Sequence, residues 1–170
     1  MLKEFVAFDV ETTGLSPLQG HRVVEIGAVR MNSGMITSEF HSLIDCGRTI
    51  PKAIQRITGI NDDMLCGQPS PDVVFKGFQR FIGKAVLVAH NARFDRSFLR
   101  YEFSRLGWTL SNRTRCTLAL SRRKLPRLSN HRLATVARHL FGELPAGVQL
   151  HRALDDARLA GKIWMALNNK

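Results

Sequence analysis

The chain has 170 residues, 44% hydrophobic and 23% charged, which suits one globular domain with a sizeable core and argues against disorder. No apolar stretch is long enough to cross a bilayer, Glu4 and Asp9 interrupt any signal-peptide core, and Cys46, Cys66 and Cys116 form no CxxC pair or zinc-finger pattern, so a cytoplasmic protein with reduced thiols is expected. The net charge is +11, and twelve of the 25 basic residues lie between Arg93 and Arg138 against only Asp95 and Glu102, a field that suits nucleic acid without separating an enzyme from a binder.

Taken in order, Glu4–Val10 reads as a largely buried strand because Phe5, Val6, Ala7 and Phe8 run together. Arg22–Met31, rich in Val and Ile, predicts a second strand, Asn32-Ser33-Gly34 a turn, and Ile36–Asp45 a third strand. Short connections make these an antiparallel meander. A short helix over Pro51–Gly59 ends at glycine. Ser70-Pro71-Asp72 resembles a helix start, and Val74, Phe75, Phe78, Phe81 and Ile82 keep helical period up to Gly83. Ala85–Ala89 predicts a short strand. Arg93–Leu106 predicts a helix striped by Phe94, Phe98, Leu99 and Phe103. Helices follow at Thr117–Lys124, His131–Phe141 and Ala153–Leu167, with Pro145–Leu150 as a loop. Without repeats or linkers, the expectation is a single α/β domain over 1–170 with a mixed sheet flanked by helices.

Three segments can carry chemistry. In Phe8-Asp9-Val10-Glu11-Thr12-Thr13-Gly14-Leu15, Asp9 and Glu11 sit two apart on a strand and project to the same face. Two carboxylates ending an apolar strand need basic partners, a metal or a solvated turn. In Ala89-His90-Asn91-Ala92-Arg93-Phe94-Asp95, the acid falls in a first helical turn, where the helix dipole explains it as well as a metal does. In His151-Arg152-Ala153-Leu154-Asp155-Asp156-Ala157, His151 and Asp156 would diverge by about 140° on a regular helix. They can share a site only if His151 precedes the helix. Together, four carboxylates suit two hard ions such as Mg²⁺ or Mn²⁺, stabilising the attacking and leaving oxygens of phosphodiester hydrolysis. A histidine near neutral pKa suits the base. HExxH and P-loop patterns are absent.

At these residues the chain resembles the DEDDh family of 3′–5′ exonucleases, which includes the proofreading epsilon subunit of bacterial DNA polymerase III. Residues 8–15, 90–95 and 151–157 match the three motifs in order, and Ile57-Thr58-Gly59-Ile60 resembles a stretch of proofreading-type members. The resemblance implies a ribonuclease-H-like fold and two divalent ions, Mg²⁺ or Mn²⁺. It implies that Asp9, Glu11 and Asp156 hold the ion that activates water, that Asp9 and Asp95 serve the second ion, and that His151 is the general base. Spacing from His151 selects Asp156 over Asp155. Thr12, Thr13, Gly14, Leu15, His90, Asn91 and Phe94 would border the 3′-terminal nucleotide. Cys116 stands where many relatives carry Asp, at a position outside the catalytic set.

The expected substrate is a single-stranded DNA or RNA 3′ end, with DNA favoured, and the expected protein partner is a polymerase or other replication or repair protein. The chain ends soon after the last motif, so neither a polymerase domain nor a long C-terminal tail is expected within these 170 residues, and whether it works alone or as a domain of something larger stays open. One alternative is an RNase T-like 3′ exoribonuclease. Another is a catalytically silent nucleic-acid-binding domain, although such a domain would have no need to keep clustered carboxylates that repel its ligand.

Overall fold

The structure, a computed structural model, describes residues 3–144 and 147–168. Five strands, Glu4–Thr12 (β1), Val23–Asn32 (β2), Met35–Leu43 (β3), Leu87–Ala89 (β4) and Thr114–Cys116 (β5), form a mixed sheet in the order β3-β2-β1-β4-β5. The first three make the expected antiparallel meander, while β1–β4 and β4–β5 pair in parallel. Ser33 and Gly34 both have positive φ, as a tight two-residue hairpin turn requires.

Period-two alternation along β1 decides which layer each side chain joins. Val6, Phe8 and Val10 point into the layer closed by Pro71–Ile82 (α3) and Ala92–Arg105 (α4), against Phe75, Phe78, Phe98 and Phe103. Phe5 and Ala7 point the other way, where Thr117–Lys124 (α5), Leu133–Phe141 (α6) and Ala153–Asn168 (α7) supply Leu120, Val136, Ile163 and Leu167. The same alternation carries Asp9 and Glu11 to the α7 side. Burying a Phe or Leu on either face is worth about 1.5–3 kcal/mol, so a one-residue slip of β1 would be opposed by the whole core.

The first turn of α7 touches the sheet at backbone distance. A Cβ on Gly27 of β2 would lie 2.2 Å from Leu154 N and 2.3 Å from the Ala153 carbonyl carbon. Further along, Gly161 lets α7 approach Ala7, where an added Cβ would meet the Ala7 Cβ at 3.3 Å.

Sequence periodicity left three pieces unseen. Strand β5 has three residues with little burial, and its pairing with β4 supplies what pattern does not. The four-residue helix Asp62–Leu65 (α2) follows Lys52–Thr58 (α1) and is set by Asn61, whose side chain accepts from Met64 N–H at 2.9 Å. A 3₁₀ turn at Pro17–Gln19 completes the set. Boundaries also move. Strand β1 runs on to Thr12, so Glu11 is a strand residue, and the predicted strand from Ala85 begins at Leu87. Within the predicted loop 145–150, residues 147–150 are irregular or turn as expected, and Pro145 and Ala146 lie outside the described residues, as do Met1 and Leu2 at the N-terminus.

Candidate active site

Three elements converge on the α7 side of β1. Asp9 pairs with Gly27 across the β1–β2 ladder and Glu11 pairs with Glu25, so the close contact at Gly27 sets the first turn of α7 over the Asp9–Glu11 face. His151 precedes the helix in the left-handed backbone region, φ 62°, which takes it off the helical wheel and lets it share a site with Asp156. One ligand atom each from Glu11, His151 and Asp156 lie within 4.8 Å of one another. His151 is exposed, Glu11 half-buried and Asp156 buried.

Asp155 and Asp156 have separate tasks. Asp156 Oδ2 accepts from the His151 backbone N–H at 3.2 Å. Asp155 turns away, accepting from Gln149 N–H at 3.0 Å and from Arg158 at 2.8 Å. Asp95, in the first turn of α4, is 2% exposed and accepts from Val10 N–H at 3.4 Å, which ties it to the strand between Asp9 and Glu11.

The electrostatics are those of crowded acids. Burial, then the charges of Asp156, Glu25 and Asp95, push the Glu11 carboxyl up to about 8, while Arg152 opposes the rise. Burial and then Asp95, Asp156, Glu11 and Glu25 raise Asp9 well above the ordinary carboxylate range. Asp95 and Asp156 are raised too, burial first, against the lowering effect of the backbone N–H groups they accept from. Asp156 Oδ1 is buried without a hydrogen-bond partner among the described residues. A buried acceptor left unmatched beside three other acids fits a hard divalent cation, which takes oxygen ligands and cancels the repulsion. The donor set therefore suits such ions.

The segment Thr12–Leu15 makes a folded wall. Thr12 Oγ1 donates to Gly14 O at 2.7 Å, Arg22 N–H donates to Thr13 Oγ1 at 3.0 Å, and the Thr13 hydroxyl is 3.2 Å from His21 Nδ1. The His21 ring lies against Gly14 so closely that a Cβ there would meet it at 2.4 Å. Leu15 projects, 79% exposed, onto a cavity of about 380 Å³ that Pro17, Leu18, Asn91, Arg93 and Phe94 also line. His90 does not face this cavity. Its ring nitrogens are 2.8 Å from Thr117 Oγ1 and 2.8 Å from the His131 carbonyl, which makes it an anchor for the segment after α5.

Glu25 and Arg152 were not anticipated. Glu25 is fully buried; Arg152 Nε and Nη2 donate to it at 3.0 and 2.8 Å, Ala153 N–H at 3.0 Å, and His41 Nε2 lies 2.7 Å away. Burial alone would raise the Glu25 carboxyl, but the hydrogen bonds from His41, Arg152 and Ala153 outweigh it and hold the group below the usual range. The two residues after His151 are thus clamped to β2. An acid within the apolar run Val23-Val24-Glu25-Ile26 was the available signal, since a buried strand carboxylate demands a partner.

The profile of the RNase_T exonuclease family matches residues 6–164. The chain belongs to that exonuclease family. This exonuclease is 36% identical over 164 residues to the DNA polymerase III subunit epsilon of Aquifex aeolicus, covering 96% of the chain and 79% of that protein. It is 44% identical over 161 residues to the DNA polymerase III PolC-type protein of Halalkalibacterium halodurans, covering 94% of the chain and 11% of that protein. The chain thus spans only a small part of the PolC-type relatives. Among solved structures, Exonuclease X in complex with 5′ overhanging duplex DNA superposes with a TM-score of 0.78 at 27% identity, over 97% of this chain and 91% of that one. Exonuclease I (apo) reaches a TM-score of 0.82 at 16% identity, over 100% of this chain and 43% of that one, a likeness of fold that bears out the ribonuclease-H-like architecture. No helix among the described residues is long and apolar enough to cross a membrane.

Proposed function

We propose that residues 1–170 form a single cytoplasmic exonuclease domain that removes nucleotides from the 3′ end of single-stranded DNA as nucleoside 5′-monophosphates. The observation that carries this reading is the meeting of Glu11, His151 and Asp156 within 4.8 Å, beside Asp9 and Asp95. Asp9, Glu11 and Asp156 would hold one Mg²⁺ or Mn²⁺, and Asp95 with Asp9 a second. When bound, the ions would supply charge stabilisation for the attacking and leaving oxygens of the scissile phosphate.

The chain's own groups do the rest. The Leu15–Phe94 cavity takes the terminal nucleotide, with Leu15 and Phe94 giving apolar contact to base and sugar and Asn91 a polar edge. The exposed His151 imidazole accepts a proton from the attacking water as the new P–O bond forms and the P–O3′ bond breaks, and the departing 3′ oxygen takes a proton from solvent to become the 3′-hydroxyl of the shortened strand. The hydrogen bond from His151 N–H to Asp156 and the Glu25 clamp on Arg152 and Ala153 keep that base at one distance from the acids. DNA is favoured over RNA because the relatives carry the names of DNA polymerase III proteins and Exonuclease X was solved in complex with 5′ overhanging duplex DNA. The same relatives make a polymerase or another replication or repair protein the expected partner.

Digestion of 5′-labelled single-stranded DNA and RNA oligomers with Mg²⁺, Mn²⁺ or EDTA tests the reading. The expected result is a metal-dependent ladder shortening from the 3′ end, faster on DNA. Binding without cleavage under either metal would refute it, and faster cleavage of RNA would move the assignment to a 3′ exoribonuclease.

A further inference from the structure

The segment from Phe103 to Gly142 contains nine Lys or Arg residues and no Asp or Glu. All nine are exposed: Arg105, Arg113 and Arg115 before α5, Arg122, Arg123 and Lys124 at its end, then Arg127, Arg132 and Arg138. Arg22, Arg30, Arg152 and Arg158 pair with carboxylates, and many other surface cations do not; what sets these nine apart is that none makes an ion pair among the described residues and no acid interrupts the stretch that carries them. Nine unpaired cations on one short stretch repel one another, and folding alone gives no reason to collect them. A cavity of about 560 Å³ lies within the stretch, where Lys124 and Arg127 border an apolar lining of Leu125, Pro126 and Leu128.

This surface is tethered to the active-site end of the sheet. His90 Nε2 lies 2.8 Å from the His131 carbonyl, and Ser121 Oγ lies 3.1 Å from His131 Nδ1, which fastens the 125–132 connection to the residue after β4. The next residue, Asn91, lines the cavity assigned above to the terminal nucleotide. The basic segment and the cavity assigned to the terminal nucleotide are thus joined through the consecutive residues His90 and Asn91.

We infer that the α5–α6 face binds the phosphodiester backbone of the same strand, several nucleotides upstream of the 3′ end. The inference rests on the proposed function for the identity of the strand and adds a second, sequence-independent contact. It makes the KM for long substrates depend on residues that take no part in cleavage. An acidic protein surface is the competing occupant, and the test separates the two.

The experiment compares a 30-residue oligo-dT with thymidine 5′-(p-nitrophenyl phosphate), an ester that engages only the terminal site. Two variants are made, R122Q/R123Q/K124Q and R127Q/R132Q, all at exposed positions that leave the core intact. Removing three phosphate contacts should flatten the log–log salt dependence of oligomer binding by about 2, since each contact on a single strand contributes about 0.7. Oligomer KM should rise at least about tenfold near 0.1 M salt while kcat and ester hydrolysis stay unchanged. Unchanged KM and salt slope in both variants would overturn the inference and leave a protein-facing surface. If the wild type cleaves neither compound with Mn²⁺, the proposed reaction fails instead. Fluorescence anisotropy with a labelled 30-mer then decides the basic face: a flattened salt slope in the variants supports it and an unchanged slope refutes it.

Discussion

A single methyl group at Gly27 should disable the site from a position that carries no chemistry. An alanine Cβ would sit 2.2 Å from Leu154 N, 2.3 Å from the Ala153 carbonyl carbon and 2.4 Å from Leu154 Cα, all backbone atoms that cannot rotate away. Restoring ordinary contact at about 3.4 Å requires the first turn of α7 to retreat by about 1 Å, carrying Asp156 and the His151 loop with it. Overpacking of this kind costs about 1–3 kcal/mol, and a misplacement of about 1 Å in a reacting constellation costs about 10²-fold in rate. Gly27→Ala is therefore expected to lose about 2–12 °C in melting temperature, at about 2–4 °C per kcal/mol for a chain of this size, and to lose far more activity than the fold does. The assay is ester hydrolysis at 25 °C with saturating Mn²⁺, beside far-ultraviolet circular dichroism to show that the variant is folded. A folded Gly27→Ala protein with activity within about threefold of wild type would refute the claim that this contact sets the geometry.

Glu25→Ala should destabilise by about 3–5 kcal/mol in urea unfolding, because it strands the Arg152 guanidinium against a sheet that no longer answers it; a change below about 1 kcal/mol would show the clamp to be dispensable. His151→Ala should lower kcat by about 10²–10⁴-fold with melting temperature unchanged, since the ring is exposed; kcat within tenfold of wild type would remove it as the base. Asp156→Asn should abolish turnover whereas Asp155→Asn, which loses only partners at Gln149 and Arg158, should keep most of it; equal effects would contradict the division of roles. The metal-free protein should become less stable as pH rises from about 4.5 to about 8, the window set by Glu11. A carboxyl raised on folding binds its proton more tightly in the native than the unfolded chain, so its contribution is present at low pH and lost through its folded pKa. At pH 8, an ion at 100 times its Kd should restore about 2.7 kcal/mol, or about 5–11 °C. A melting temperature that rises with pH in EDTA would contradict the crowded-acid account.

The fold class and the convergence of the acidic segments were legible in the sequence, and the contacts that hold them in place were not. The two-residue spacing of Asp9 and Glu11 on an apolar strand was enough to put them on one face, and the break in helical spacing between His151 and Asp156 required the loop that the left-handed His151 provides. What it could not give was the partner across the sheet. Gly27 looks like any small residue in a strand until α7 is laid on it, and Glu25 acquires meaning only when Arg152, 127 residues away, arrives. His90 was expected beside the 3′-terminal nucleotide; both its ring nitrogens are engaged by Thr117 and His131, contacts that no local spacing encodes. Strand β5 went unseen because Thr114-Arg115-Cys116 lacks the continuous apolar run that marks the equally short β4, and α2 because four residues make barely one helical turn.

Asp9, Glu11, Asp95 and Asp156 are proposed to hold two divalent ions together. Anomalous diffraction from crystals grown with Mn²⁺ and thymidine 5′-monophosphate tests it most directly. The expected map has two peaks about 3.5–4 Å apart, both against Asp9, one reaching Glu11 and Asp156 and the other on the Asp95 side. One peak, none, or peaks away from these carboxylates would contradict the account, whatever the activity of the protein.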